Sequence, residues 1–388
     1  MTAPVHPGLL REPAGTHRVT AIELFFDLVY VFAVTQLSHR LITDATVTGA
    51  LETAVLLGLV WLAWVYTTWA TNWLEPARIP VRLLLLSLML VSLVMSAALP
   101  QAYAGWGLAV GAAYAVMQVG RSAFAVVAMR GAPLQRNFMR ILAWSTVSGA
   151  IAIAGGLVHG PARPLLWTLA AAIDLTGGGV GFWTPWLGRT QTAEWNVHAG
   201  HFAERCQAFL LIALGESIVV TGASLSALPA VSSAEAAAVA TAFTVSVALW
   251  WLYFDRSAEE GADVFAGSAD PGRLGRSAYH LIHPVMIAGI IVTAAADQLV
   301  LAHPSTSAAG PTAAMLLGGA ALFLAGHATF TWAVWHVVAW TRLAAIAFLV
   351  ALAALAHTLS ALELAAIVAL TVVVVAGTDR LTARLAVT

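Results

Sequence analysis

Lysine is absent from the chain, and charged residues of every kind are scarce. All 18 basic residues among the 388 are arginines, and charged side chains make up only 10% of the sequence. Without lysine, the chain can form neither a retinal nor a pyridoxal Schiff base, and it cannot complete the phosphate-binding loop of a P-loop ATPase. The single cysteine, Cys206, cannot form a disulfide within the chain. A net charge of -1 provides no basic surface for nucleic acid.

Apolar sequence, by contrast, dominates the chain. Hydrophobic residues make up 60% of it and the mean hydropathy is +0.85, which is more than a water-facing surface accommodates. About a dozen apolar stretches are each close to 20 residues long, the length that crosses a hydrocarbon core of ~30 Å. The sequence therefore predicts an all-α polytopic membrane protein with about 12 transmembrane helices.

The predicted spans leave little of the chain outside the membrane. Residues 1–20 contain no apolar core of the kind that a cleaved signal peptide needs, so we expect them to form a cytoplasmic tail. Spans are predicted at 21–40, 50–70, 81–99, 105–129, 139–159, 164–182, 200–225, 234–254, 278–301, 312–333, 338–356 and 359–377. The sixth is the least regular of the early spans, because it ends in a run of glycines.

The arginines indicate how the chain is oriented, because positively charged residues are retained on the cytoplasmic side of short loops. With twelve spans and both termini in the cytoplasm, only Arg40 and Arg163 fall outside, while Arg121 and Arg205 fall within spans. The other 14 face the cytoplasm: Arg11, Arg18, Arg78, Arg82, Arg130, Arg136, Arg140, Arg189, Arg256, Arg273, Arg276, Arg342, Arg380 and Arg384. We therefore expect a multi-pass protein of the cell inner membrane with both termini cytoplasmic.

The two halves of the sequence resemble each other. A shift of 181 residues places Glu23 on Glu204, each at the entrance to an apolar helix, and further matches follow in the same order at shifts of 187 and 197. We therefore predict two parallel six-helix repeats, formed by residues 21–182 and 183–388 and related by an axis along the membrane normal.

Acidic residues inside spans are the first candidates for function, since a charge at the bilayer centre costs about 3 kcal/mol on insertion scales. Glu23 and Asp27 lie one turn apart in the first span, and Glu204 and Glu216 share one face of the seventh. Glu216 has no cationic neighbour on its own helix, so we expect it to bind a proton. Together the four acids predict an ion-binding or proton-binding path.

Two arginines inside spans are candidate counter-ions. We expect Arg121 to form an ion pair with Glu23 or Asp27, with snorkelling to the cytoplasmic face as the alternative. Arg205 is expected to neutralise its neighbour Glu204. The two acids of the first span have an alternative as well, because they could lie at the cytoplasmic end and pair with Arg18 or with loop arginines.

Two histidine pairs with i, i+3 spacing raise the alternative of a metal site. His198 and His201 precede Glu204, and His280 and His283 begin the ninth span. Imidazole and carboxylate groups are ligands that zinc accepts. Histidines at the ends of membrane helices also serve as ordinary hydrogen-bonding residues, and the spacing alone does not distinguish the two roles.

Four sequence blocks carry a resemblance to a known family. They are ELFFDLVYVFAVTQLS at 23–38, TTWATNWL at 67–74, HFAERC at 201–206 and IALGESI at 212–218. On these blocks the chain resembles the bacterial low temperature requirement protein A family (LtrA), from about residue 16 to about residue 305. The resemblance implies a polytopic inner-membrane protein associated with growth at low temperature, and it brings no settled substrate or mechanism.

Two classes of function follow from these residues. The first is a transporter or channel for a small ion or solute, proton-coupled through the four intramembrane acids. The alternative is an intramembrane, metal-dependent enzyme that acts on lipid through the four histidines. Membrane lipids, a small ion or solute and a second copy of the chain are the expected partners, and the sequence identifies no cofactor.

The arginine distribution makes the orientation testable. We expect reporter fusions at residue 2 and residue 388 both to report a cytoplasmic location, and a tag after Ala230 to report an external one, because twelve spans return the chain to its starting side. Reporter activity or protease protection in intact cells measures this. A periplasmic C-terminus would contradict the even number of spans.

Overall fold

A computed structural model of the chain describes residues 8–12, 18–227 and 230–385, with side chains up to residue 378. Twelve helices of ten residues or more follow one another in the described part: α1 (Ala21–Thr43), α2 (Val47–Trp73), α3 (Ile79–Gln101), α4 (Gly107–Ala128), α5 (Gln135–Leu157), α6 (Ala162–Gly177), α7 (Ala199–Ser226), α8 (Ser233–Ala266), α9 (Pro271–Ala302), α10 (Pro311–Trp335), α11 (Trp340–Leu352) and α12 (Ala361–Leu385). Each corresponds to one predicted span. The predicted all-α fold is therefore confirmed.

Ten of the twelve described helices are long and apolar enough to cross a membrane, so the chain is a multi-pass membrane protein. The two shorter helices are α6, with 16 residues, and α11, with 13. At 1.5 Å per residue they rise about 24 and 20 Å, less than the ~30 Å of a hydrocarbon core. The helix α6 ends where the chain reaches its glycine run, since glycine disfavours the helix interior.

The chain divides into two compact units. The first unit comprises the described residues up to Leu37, Leu51–Ala208 and Phe265–His280. The second comprises Ser38–Ala50, Phe209–Val264 and the described residues from 281 onward. The duplication into two six-helix repeats stays a prediction, and its two matched acids differ in exposure, because Glu23 is buried and Glu204 is exposed.

Glycines set the spacing of helices within each unit. In the first unit, a Cβ added at Gly111 of α4 would lie 2.2 Å from the carbonyl oxygen of Ala152 in α5. In the second unit, a Cβ added at Gly289 of α9 would lie 2.4 Å from the backbone nitrogen of Phe323 in α10. Such small residues let membrane helices approach to backbone contact, where van der Waals packing stabilises them.

We expect Gly111→Ala to lower the free energy of unfolding by about 1–3 kcal/mol, because the added methyl group forces α4 and α5 apart. Gly120→Ala is the matched control on the same helix, since a Cβ there meets no atom within 4 Å. Thermal or denaturant unfolding in detergent micelles compares the two variants. Equal stability of both would contradict the close packing of α4 on α5.

Candidate functional site

A cluster of buried charged side chains joins the segment around Arg11 to helices α1 and α7 in the first unit. It contains Arg11, Glu23, Asp27, His201 and Arg205, whose exposures range from 0% to 7%. We call these five residues the charge cluster. Two carboxylates face two guanidinium groups, so with a neutral imidazole the formal charges of the cluster balance.

Arg205 is the central cation of the charge cluster. Its Nη2 and Nε donate to the two carboxylate oxygens of Asp27 at 2.6 and 3.0 Å, and its Nη1 donates to Oε1 of Glu23 at 3.2 Å. The indole Nε1 of Trp64 donates to Asp27 at 2.7 Å. A two-pronged pair of this kind combines charge with planar geometry and is among the stronger interactions that a protein forms. Arg205 therefore fixes α7 to two successive turns of α1.

Glu23 accepts hydrogen bonds from three further residues. Arg11 Nη2 donates to it at 3.1 Å, and His201 Nε2 lies 2.8 Å from Oε1. The backbone nitrogen and the hydroxyl of Thr20 donate to Oε2 at 2.9 and 2.8 Å, which caps the start of α1. Arg11 also donates through Nε to the carbonyl oxygen of Thr71 at 2.9 Å. The carboxylate of Glu23 is thus surrounded by donors.

Asn72 fixes the orientation of the His201 ring. Its Nδ2 lies 3.3 Å from Nδ1 of His201 and donates to the carbonyl oxygen of His198 at 2.9 Å. Its Oδ1 accepts from the backbone nitrogen of His198 at 2.8 Å. Nδ1 of His201 thus faces the amide nitrogen of Asn72, and Nε2 faces both Oε1 of Glu23 at 2.8 Å and Nη2 of Arg11 at 3.0 Å.

The partner of Arg205 differs from the one expected from the sequence. Arg205 is fully buried and bonds Asp27 and Glu23, whereas its neighbour Glu204 is exposed and accepts from the backbone nitrogen of Val19 at 3.2 Å. Successive residues on a helix point about 100° apart, so the two side chains diverge. The expected neutralisation of Glu204 by Arg205 is corrected accordingly.

Arg121 likewise bonds neither Glu23 nor Asp27 within the described residues. Its Nη2 donates to Oε1 of Gln118, and its guanidinium group lies 5.2 Å from the ring centroid of Tyr66. The acids of α1 have Arg205 and Arg11 as their partners instead. Arg121 is buried, with 1% exposure, so the alternative of snorkelling does not describe it either.

The four acids proposed from the sequence occupy three different environments. Glu23 and Asp27 belong to the charge cluster, and Glu204 is exposed at the start of α7. Glu216 is fully buried in the part of α7 that belongs to the second unit. A continuous path formed by all four stays a prediction.

The four histidines proposed as metal ligands form separate contacts. Their contacts are those of His198 with Asn72 through its backbone, His201 with Glu23 and Asn72, His280 with Trp69, and His283 with Tyr253. Among the residues that the structure describes, no three His, Cys, Asp or Glu side chains lie together so as to hold a metal ion. The described geometry therefore provides no observation in favour of a metal centre.

A small, partly open cavity of about 50 Å³ lies in the first unit, and aromatic rings form part of its lining. Its aromatic lining consists of Tyr66, Trp69, Trp73, Phe138, Phe182 and Trp195. Its polar lining consists of Arg121, Asp174, Thr190, Thr192, Arg276 and His280. We call it the aromatic cavity. These residues come from the ends of α2 and α6 and the beginnings of α5 and α9, which the arginine distribution predicts to face the cytoplasm, together with α4 and the segment before α7.

Asp174 is the acid of the aromatic cavity. Its Oδ2 accepts from the hydroxyl of Tyr114, from Nε2 of Gln118 at 2.8 Å and from the hydroxyl of Ser148 at 2.9 Å. The Tyr66 hydroxyl donates to its carbonyl oxygen at 2.8 Å. Gln118 also accepts from Arg121, so one amide side chain connects the acid with the cation. These residues lie on four helices, and no motif or spacing in the sequence groups them.

His280 and Arg276 lie on a π-helical segment of α9, Gly275–Ile282. Segments of this kind are rare and occur frequently at functional sites. Nδ1 of His280 accepts from the indole nitrogen of Trp69 at 3.1 Å, while its Nε2 is buried and has no hydrogen-bond partner among the described residues. Arg276 donates to the carbonyl oxygen of Gly178.

A glycine with positive φ brings the chain back over the aromatic cavity after α6. Gly181 has φ +66°, and a Cβ added there would lie 2.3 Å from the carbonyl oxygen of Thr190. The backbone nitrogen of Thr190 donates to the carbonyl oxygen of Gly181 at 2.9 Å. Only glycine combines this conformation with this contact, and the turn places Phe182 in the cavity wall.

The chain is similar in sequence to a known protein family and to a bacterial relative. Residues 18–377 match the model of a protein family described as bacterial low temperature requirement A protein (LtrA). The uncharacterized protein RA0937 of Rhizobium meliloti (strain 1021) is 37% identical to the chain over 321 residues, which cover 82% of this chain and 78% of that relative. No solved structure matches the chain.

We expect Arg205→Gln to lower the free energy of unfolding by about 3–5 kcal/mol, because it leaves Asp27 and Glu23 buried without their central cation. The matched control is Arg256→Gln, which removes an ion pair with Glu260 at 2.8 Å whose side chains are about half exposed. An exposed pair contributes at most about 1 kcal/mol. Unfolding in detergent micelles, together with the folded yield, compares the two variants.

The double variant Asp27→Asn with Arg205→Gln distinguishes lost pairing from general disruption. Removing both charges leaves no unmatched ion between them, so the double variant is expected to be more stable than the sum of its two single variants predicts. Strict additivity of the two effects, or equal stability of Arg205→Gln and Arg256→Gln, would contradict the central position of Arg205.

Proposed function

We propose, from the premise that the chain belongs to the bacterial low temperature requirement A family, that this protein is a membrane transporter or channel that binds a small ion or solute in the aromatic cavity. The family resemblance expected from four sequence blocks is confirmed, and the match continues to residue 377, beyond the part of the chain where those blocks lie. Family membership does not identify the activity, so the proposal depends on the geometry of the first unit.

The observation that carries the proposal is the polar part of the lining of a cavity that aromatic rings also line. Nε2 of His280 is a buried polar atom with no hydrogen-bond partner in the described residues, and Asp174 and Arg121 are almost fully buried in the same lining. An unsatisfied buried polar group costs about 1–3 kcal/mol, and native proteins retain few of them. A bound ion or solute would supply the missing partner.

The backbone around the aromatic cavity also supports a binding site. The helix α6 ends after 16 residues, and α9 begins with the π-helical segment Gly275–Ile282. Irregular backbone at membrane depth is tolerated where it lines a cavity, and interrupted helices form the substrate sites of many transporters. We propose that the cavity communicates with the cytoplasm, because the arginine distribution predicts that face for the surrounding helix ends.

The charge cluster has a different proposed role. Its carboxylates bind Arg205, Arg11 and His201 within hydrogen-bond distance, so we propose that it fixes the segments that surround it rather than carrying ions. Glu216, fully buried in the second unit, is the acid for which we propose coupling to protons.

Filling the aromatic cavity tests the proposal. An added Cβ at Gly178 meets Cδ of Arg276 at 3.2 Å, and one at Gly179 meets the carbonyl oxygen of Thr176 at 3.1 Å, so the two positions are similarly crowded. Of these two glycines, only Gly178 lines the cavity. We expect Gly178→Leu to abolish solute permeation and Gly179→Leu to retain it, because only the first side chain occupies the binding volume.

Stopped-flow light scattering of proteoliposomes measures this permeation without knowledge of the substrate. The vesicles are mixed with a panel of hyperosmotic salts and small neutral solutes, with an ionophore or a lipid-permeant counter-ion that keeps ion entry electroneutral, and reswelling identifies the solutes that permeate. Wild-type protein is expected to permit reswelling with at least one member of the panel. Reswelling no faster than in empty vesicles throughout, or equal rates for wild type and Gly178→Leu, would contradict the proposal.

A further inference from the structure

We infer that the ligand of the aromatic cavity is a small monovalent anion of the size of chloride or formate. The inference takes the location of the site from the proposed function and adds the charge and size of the ligand. It follows from three properties of the lining: its charge balance, its surplus of hydrogen-bond donors and its volume.

The charged lining of the aromatic cavity contains two cations and one acid. Arg121 and Asp174 are connected through Gln118, so their charges offset each other. Arg276 remains: it donates to the carbonyl oxygen of Gly178, and within the described residues it forms no ion pair. A carbonyl dipole does not neutralise a full charge, and a partly buried cation in a membrane protein needs a counter-charge.

Two acids outside the lining, Glu194 and Asp270, hydrogen-bond to threonines of the lining and, within the described residues, do not pair with Arg276. Glu194 is exposed and accepts from the hydroxyl of Thr190 at 3.2 Å. Asp270, which is partly exposed, caps the start of α9 by accepting from the backbone nitrogen of Arg273 at 2.9 Å, and it also binds the hydroxyl of Thr192 at 2.8 Å. Both carboxylates are engaged by hydroxyl or backbone donors, and neither forms an ion pair with Arg276 in the part of the chain that the structure describes.

The lining also offers more hydrogen-bond donors than acceptors. Because Nδ1 of His280 accepts from Trp69, the imidazole proton lies on Nε2, which is a donor without a partner in the described structure. Arg276 has five N–H groups, of which the described residues engage one. Oδ2 of Asp174 accepts three hydrogen bonds, and Oδ1 accepts none from the described residues, so the lining has this one open acceptor, compared with Nε2 of His280 and the remaining N–H groups of Arg276 as donors. A ligand that only accepts hydrogen bonds therefore fits the lining better than one that donates.

The volume and the aromatic walls narrow the class of anion. A cavity of about 50 Å³ has room for a few water molecules, which suits a halide or formate and excludes a sugar phosphate or a nucleotide. The aromatic walls lower the local dielectric constant, so the attraction of the cations for an anion is stronger than in bulk solvent. A cation held by the aromatic faces would be opposed by Arg276, and the ring of Tyr66 already contacts the guanidinium group of Arg121.

Titration with sodium formate or sodium chloride tests the inference on the full chain in nanodiscs of zwitterionic lipid. Sodium gluconate keeps the ionic strength constant with an anion too large for the cavity. Trp69, Trp73 and Trp195 line the cavity, so tryptophan fluorescence reports binding there. We expect a saturable change with formate or chloride that gluconate alone does not produce.

Two arginines on one short stretch of α9 provide a matched pair of variants. Arg276→Gln is expected to weaken anion binding at least about ten-fold, the loss typical of a charge-assisted hydrogen bond. Arg273→Gln, three residues earlier and exposed, is expected to bind as wild type does. If Arg276→Gln does not fold, His280→Phe removes the Nε2 donor instead and is expected to weaken binding in the same direction.

Several results would overturn the inference. One is a fluorescence change that depends on the cation when sodium, potassium and choline gluconate are compared. Another is the absence of any saturable response to formate and chloride. A third is equal anion affinity of Arg276→Gln and Arg273→Gln. Permeation of cations or neutral solutes without anion binding would support the proposed function and refute the inference that the ligand is an anion. Anion binding without permeation of any solute would support the inferred anion and refute the proposed transport function.

Discussion

The ion pair of Arg205 with Asp27 and Glu23 is the constraint on which the first unit depends. A charge inside a membrane protein is stable only beside its counter-charge, so α7 can adopt only the register that brings Arg205 to the two acids of α1. The same cluster reaches α2 through Trp64 and Asn72. Because Trp69 and Trp73 of α2 line the aromatic cavity, the charges that hold the helices also fix one wall of the proposed binding site.

The buried charges of the first unit fall into two groups. In the charge cluster the formal charges of acids and arginines balance, and every carboxylate oxygen of Glu23 and Asp27 has a donor within 3.2 Å. In the aromatic cavity Arg276 has no acidic partner in the described residues and His280 keeps an unused donor. A balanced network rigidifies a structure, whereas an unbalanced one attracts a ligand. On this contrast we base the proposal that the charge cluster is structural and that the aromatic cavity binds a ligand.

Hydropathy was sufficient to predict the helices, because a stretch near 20 apolar residues has few alternatives in a bilayer. Hydropathy also identifies Glu23, Asp27 and Arg205 as charged residues inside spans. It does not predict their pairing, because Asp27 lies 178 residues from Arg205 in the sequence and the adjacent acid, Glu204, lies on another side of the helix. The sequence predicts Arg11 only as a cytoplasmic charge and not as a partner of Glu23, because Arg11 lies in the predicted tail. The aromatic cavity was missed because its lining comes from separate segments, although the glycine run and the concentration of aromatic residues at 66–73 and 182–195 mark two of its walls.

The claim that an unmatched positive charge binds an anion beside His280 and Arg276 has a direct structural test. Crystals of the full chain grown in rubidium bromide scatter X-rays anomalously from both ions, and data collected at the two absorption edges locate each ion separately. We expect a bromide peak in the aromatic cavity and no peak of either ion within the charge cluster. A rubidium peak in the cavity, or a cavity without bromide while bromide occupies the charge cluster, would contradict the claim.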